Sequence, residues 1–196
     1  MTFVLGLTGS IGMGKSTTAM MFKDAGVPVW DADAVVHKLY AKGGDAVEPV
    51  KAAFPAAFRH GSIDRDVLKS LLSKDKTAIK TLETIVHPLV TADRAGFLAE
   101  QIHPLVVCDI PLLFETGADA WLDGVLVVTA SAMLQRARVM ARPGMTEQQF
   151  ELLLARQMPD AEKRRRADYV IETLTFEDTK KAVQSLIEKL TGEPNA

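Results

Sequence analysis

The chain carries a single cysteine among 196 residues, so no disulfide framework can be built from it. Cys108 lies inside the apolar run Leu105–Asp109, where a thiol acts as a small buried hydrophobe rather than a nucleophile. A reducing compartment is expected. No stretch approaches the roughly 20 apolar residues of a membrane span, and the N-terminus enters on an apolar run without the basic region of a cleavable leader. A cytoplasmic protein with no membrane partner is expected. An excess of one charge is also lacking: 23 Lys and Arg stand against 25 Asp and Glu, a net charge of -2. That balance provides no global reason to expect nucleic acid as a partner. Internal repeats and low-complexity tracts are absent, which removes solenoid arrays. What remains is an ordinary globular composition, 47% apolar, long enough to bury one full core as a single domain with insertions.

Against that plain background one segment carries chemistry. Residues Gly9-Ser10-Ile11-Gly12-Met13-Gly14-Lys15-Ser16 fit the G-x-x-x-x-G-K-[ST] phosphate-loop pattern at every fixed position. Glycines let a backbone wrap a polyphosphate, consecutive N–H groups point inward, and the following helix adds the positive end of its dipole. Lys15 would reach the β and γ phosphates, and Ser16 has a hydroxyl placed to ligate the Mg2+ that bridges them. Gly9, Gly12, Met13, Gly14, Lys15, Ser16 and Thr17 are therefore the candidate ATP-binding residues. The context agrees with the motif: Phe3 to Thr8 reads as a buried strand, and Thr17 to Ala25 continues as a helix.

Strand-like runs recur at Phe3 to Thr8, Val27 to Trp30, Leu105 to Ile110, Gly124 to Thr129 and Tyr169 to Glu172. Alternation of these runs with helical patterns predicts an α/β fold, a P-loop NTPase-type parallel five-stranded sheet with helices on both faces. The spacing is uneven. Ala32 to Pro104 shows helical periodicity and no convincing strand, with helices expected over 34–41, 45–54, 65–73, 76–86 and 89–101, the last two separated by a break at His87-Pro88. This reads as a helical acceptor-binding insertion, about residues 32–103. A second interruption reads as a helical lid, about 136–166. There Ser131 caps one helix, Pro143-Gly144 breaks it, and Thr146 opens another with Gln148-Gln149 as a capping-box partner one residue late. The core then comprises about 1–31, 104–135 and 167–196, and the tail 192–196 is expected to fray.

Three further groups could take part. Asp31-Ala32-Asp33 follows the second strand, at the ligand-binding edge of an open α/β sheet. A carboxylate there could take the proton of an acceptor hydroxyl, or Asp33 could cap the helix from Ala34 to Tyr40. Asp109 ends its apolar run as a Walker-B carboxylate does, holding Mg2+ directly or through water, although strands also end in Asp where a turn begins. From Ser131 to Arg166 eight basic residues face four acidic ones. Among them Arg138 and Arg142 are i, i+4 neighbours able to close over phosphates. At least one of Arg136, Arg138 and Arg142 is expected to be plain helix surface, and Lys163 to Arg166 reads as a solvated helix end. His87 is structural or hydrogen-bonds the acceptor.

Thr8 to Thr17, Asp31-Ala32-Asp33, His87-Pro88-Leu89, Asp109-Ile110-Pro111-Leu112-Leu113-Phe114-Glu115 and Arg165-Arg166-Ala167-Asp168-Tyr169-Val170-Ile171 occur in an order and spacing that closely resembles the dephospho-CoA kinase family, nearly end to end. The resemblance implies transfer of the ATP γ-phosphate to the ribose 3'-hydroxyl of dephospho-CoA, with ATP and dephospho-CoA as partners and Mg2+ as cofactor. Carried over by position, the family's base falls on Asp33 and its lid arginine on Arg142, here followed by Pro143 where an acidic or small polar residue is more usual. His87 and Glu115 are family-like. Another small-molecule kinase, for nucleosides, nucleotides or shikimate, shares the loop and differs in acceptor. A GTPase-type switch is disfavoured: no N-K-x-D segment occurs, and Asp93-Arg94-Ala95-Gly96 sits within a helical pattern.

Overall fold

The structure is a computed structural model that describes residues 2–192; the expected fraying beyond Gly192 lies outside the described residues. In chain order the strands are β1 (Phe3–Thr8), β2 (Val29–Asp31), β3 (Phe58–Arg59), β4 (Ser62–Ile63), β5 (Leu105–Asp109), β6 (Gly124–Thr129) and β7 (Tyr169–Glu172). The helices are α1 (Lys15–Asp24), α2 (Ala32–Tyr40), α3 (Val47–Ala53), α4 (Arg65–Lys74), α5 (Lys76–Ala99), α6 (Ala132–Met140), α7 (Glu147–Ala155), α8 (Asp160–Arg166) and α9 (Phe176–Thr191). They form two compact units, one from the chain up to Trp30 and from Gln101 onward, the other from Asp31 to Glu100. Among the described residues no helix is long and apolar enough to cross a membrane.

The first unit is built on a five-stranded sheet of order β2-β5-β1-β6-β7. β1 pairs in parallel with both β5 and β6, and β6 with β7. The period of 2 along a strand sorts its side chains between two buried faces. Leu5, Leu7, Leu105, Val107, Leu126 and Val128 enter one core with Phe22 of α1 and Val183 and Leu186 of α9. Val125 and Val127 point the other way, into a smaller core with Leu113 and Phe114. The helices around the sheet are capped by residues the chain supplies locally: Ser131 Oγ accepts from Leu134 N, and Thr175 Oγ1 from Asp178 N. Gln149 sits at the regular capping-box position of Thr146, three residues on, rather than a residue late.

The second unit differs from the expected all-helical insertion in two places. β3 and β4 form an antiparallel hairpin, Phe58 opposite Ile63. Its turn puts His60 at φ 51° and Gly61 at φ 87°, the pair of left-handed residues that a tight hairpin needs. A histidine in place of the usual asparagine hides that signal. α5 also runs unbroken from Lys76 to Ala99 through Pro88, so His87-Pro88 is not a helix end. Pro88 and Thr84, whose carbonyl it cannot serve, are both exposed, and packing of α5 on α2, α3 and α4 carries the helix across. Replacing Pro88 by alanine is expected to raise the unfolding free energy by up to about 3 kcal/mol. Urea denaturation checks this; an unchanged midpoint would mean that the missing hydrogen bond costs α5 nothing.

Candidate active site

β1 feeds the phosphate loop. Met13 N donates to Ser10 O at 3.1 Å to close the turn, and Gly12 and Gly14 take φ values of 79° and 89°, which only glycine adopts without strain. Space imposes the same requirement: a Cβ on Gly14 would stand 2.9 Å from Thr173 Oγ1, and one on Gly12 would stand 2.5 Å from Val139 Cγ2. Gly14 is the N-cap of α1, whose first turn has no side-chain cap and no acidic residue. Its opening N–H groups and dipole are thus left for an anion. Ser16 and Thr17 are exposed on that turn.

The register of β1 on β5 puts Leu7 opposite Asp109, so the carboxylate stands at the sheet edge from which the loop departs. Lys15 Nζ forms an ion pair with Asp109 Oδ1, their side chains 17% and 6% exposed. An ammonium and a carboxylate removed from water hold one another in place, and loss of either leaves the other costly to keep. Gly9 belongs to the same cradle; a Cβ on it would meet Val128 Cγ2 at 2.6 Å.

The other candidate residues lie elsewhere. Arg142 is exposed and sits past the end of α6, so it does not continue a helical i, i+4 pair with Arg138. Asp33 is exposed in the first turn of α2, and His87 is exposed on α5, both in the second unit. The cap of α2 is Asp31, whose Oδ1 accepts from Ala34 N at 3.0 Å, and not Asp33. The Asp33 carboxylate is therefore not engaged as the cap.

Three residues that the sequence did not single out, Gln135, Gln157 and Thr173, touch the loop, and Arg138, expected to close over phosphates, backs Thr173. Gln135 Nε2 donates to Ile11 O at 2.8 Å, and Ile11 N donates to Gln157 Oε1 at 3.0 Å. Thr173 Oγ1 donates to Met13 O at 2.9 Å, and Arg138 donates to Thr173 Oγ1 at 2.9 Å. The i, i+3 spacing of Gln135 and Arg138 on one face of α6 could have revealed that pair. Gln157 and Thr173 have no local signal. Arg136 is exposed on the surface of α6 and paired with Glu147.

A phosphate loop after the first strand, a carboxylate ending the neighbouring strand, and a helical hairpin carrying arginines define a nucleotide-dependent kinase of the phosphate-loop class. A shikimate kinase from Acinetobacter baumannii has the same fold at 16% identity, with a TM-score of 0.55 over 100% of this chain and 97% of that one. The model of the dephospho-CoA kinase family matches residues 3–177. A dephospho-CoA kinase from Jannaschia sp. (strain CCS1) is 59% identical over 97% of this chain and 98% of the relative. The solved dephospho-CoA kinase from Campylobacter jejuni is 27% identical, with a TM-score of 0.73 over 99% of this chain and 100% of that one. The chain belongs to the dephospho-CoA kinase family.

Beyond β5 a second charge pair ties the hairpin's return to the sheet. Lys163 is fully buried, with Nζ 2.9 Å from Glu115 Oε1, an ion pair by distance though not aligned as a hydrogen bond. Lys163 is thus no part of a solvated helix end, whereas Arg164, Arg165 and Arg166 are exposed. Burial pushes the Glu115 carboxyl up, but Lys163 and the N–H of Met158 outweigh it and hold the pKa below the ordinary 4.5. A carboxylate depressed in the folded state adds stability above its unfolded pKa, and that stability is lost as pH falls through the folded value. Glu115→Gln is therefore expected to be less stable at pH 7 and to show a shallower loss of stability between about pH 5 and 3. Urea midpoints across that range decide the matter; parallel curves for the two proteins would refute it.

Proposed function

We propose that this chain phosphorylates the ribose 3'-hydroxyl of dephospho-CoA with ATP, giving coenzyme A and ADP, the last step of coenzyme A synthesis. The observation that carries the reading is the complete phosphate loop paired through Lys15 with Asp109, in a chain of this family. The reaction forms a bond between the 3'-oxygen and the γ-phosphorus and breaks the bond from that phosphorus to the β,γ-bridging oxygen, which leaves with ADP. Little covalent work falls to the protein, so positioning and electrostatics dominate.

Gly9 to Thr17 hold the phosphates through backbone N–H groups, and Lys15 turns from Asp109 toward the γ-phosphate. Asp33 orients the acceptor hydroxyl and takes its proton; its exposed carboxylate, not engaged in capping, supports that role. His87 contacts the acceptor. Arg142 closes over the transferred phosphoryl group from the lid, about residues 136–166, which also keeps water from ATP. The acceptor is held by the insertion, about residues 32–103. Ser16 and Asp109 would hold Mg2+, and their hydroxyl and carboxylate oxygens fit a hard cation that keeps most of its ligands from phosphate and water. A Mg2+ held there would supply charge neutralisation to the triphosphate. The setting is cytoplasmic, a reading supported by the one cysteine, buried in β5.

ATP consumption is expected to depend on the acceptor, with a mass gain of one phosphoryl group on dephospho-CoA. Equal turnover with and without dephospho-CoA, followed by coupled ADP release and mass spectrometry, would remove the kinase assignment. Asp33→Asn is expected to bind ATP normally and to lose transfer by about 10^2- to 10^4-fold, the range of general-base catalysis. Near-parent turnover in single-turnover assays would deny Asp33 that role.

A further inference from the structure

We infer that Gln135 and Gln157 are positioning residues of the transfer reaction, clamping both sides of Ile11 so that the two ends of the arginine-bearing hairpin set the geometry of the phosphate loop. This rests on the reading that the loop binds the triphosphate. Ile11 occupies a variable position of the loop pattern, so its side chain carries no expectation. Its backbone does, because its C=O accepts from Gln135 and its N–H donates to Gln157. Gln135 belongs to α6, and Gln157 lies two residues past the end of α7. The stretch between them, which holds Arg142, is therefore anchored at each end on one loop residue.

The consequence follows from the planar trans peptide, in which C=O and the next N–H point in opposite directions. Gln135 holds the Ile11 carbonyl and so aims the Gly12 N–H the opposite way. Thr173 holds the Met13 carbonyl and so aims the Gly14 N–H the opposite way. Neither N–H has a hydrogen-bond acceptor among the described residues. They stand two residues apart, separated by the Met13 N–H that closes the turn. Such a pair of oriented amides is what an anionic phosphate oxygen binds. Gln135 is 6% exposed, and a buried amide confined to hydrogen bonds of fixed polarity specifies one arrangement. Arg138 backs the clamp by donating to both the Oγ1 and the O of Thr173.

The polarity of the two hydrogen bonds makes the inference testable. At Ile11 N the partner must accept; at Ile11 O it must donate. Gln157→Glu keeps an accepting oxygen, whereas Gln135→Glu at pH 8 sets a carboxylate against a carbonyl, although each adds the same charge near the same loop. ATP binding is measured by calorimetry without acceptor, and KM and kcat are then measured with dephospho-CoA. Gln135→Glu is expected to weaken ATP binding about 10- to 100-fold and to lower kcat, with the KM for dephospho-CoA unchanged. Gln157→Glu is expected to stay within about threefold of the parent. Equal ATP binding by the two variants, or a fall in melting temperature with neither ATP affinity nor kcat altered, would overturn the clamp. If Gln135→Glu does not fold, Gln157→Met takes its place. It is expected to lose about tenfold in ATP affinity where Gln157→Glu does not, and parity between those two would be equally fatal. A parent protein that fails to bind ATP would sink the reading of the loop itself, a result distinct from either.

Discussion

A lysine and a carboxylate 94 residues apart in the chain meet at Lys15 and Asp109, and the edge of the sheet that carries the phosphate loop is organised around that meeting. Both charges are largely withdrawn from water, so each requires the other. The contact exists only because β1 and β5 are neighbours, in a register that lays Leu7 beside Asp109. The strand order therefore does more than close a core. It delivers an ammonium and a carboxylate to the end of the sheet from which the phosphate loop departs.

Rigidity and exposure are divided along functional lines. The loop backbone is fixed by three hydrogen bonds at two of its residues, Ile11 with Gln135 and Gln157 and Met13 with Thr173, and two of its glycines are excluded from carrying a side chain by both φ and space. Arg142, Asp33 and His87 are exposed. The groups proposed to meet substrate are thus solvated, while the backbone of the loop is held by buried hydrogen bonds. The buried Lys163 with Glu115 belongs with the fixed parts: it fastens the segment after the hairpin to the segment after β5.

Legibility followed the range of the physics involved. The phosphate loop and the strands β1, β5, β6 and β7 were readable because their signals are local: a glycine pattern and short apolar runs. β2 begins two residues after its apolar run does, for it is three residues long and Val27-Pro28 belong to the connection before it. The β3–β4 hairpin stayed hidden because His60 adopts a backbone conformation its residue type rarely announces. The helix break at Pro88 was a sound local inference that packing overrode. Asp33 resembles a cap only if α2 begins at Ala34; the helix begins at Ala32, and Asp31 caps it.

Within the site the same boundary holds. The sequence alone determined the phosphate-loop pattern, the strand that precedes it and the carboxylate that ends a second apolar run, since each rests on residues adjacent in the chain. Long-range packing alone settled that Lys15 pairs with Asp109, that Lys163 is buried against Glu115 rather than solvated, and that two glutamines, one in α6 and one just past α7, hold one loop residue. Those contacts join residues separated by tens of positions. Nothing in the local pattern of charge or hydropathy encodes which distant partner a buried polar group will find, because that choice is made when the sheet assembles.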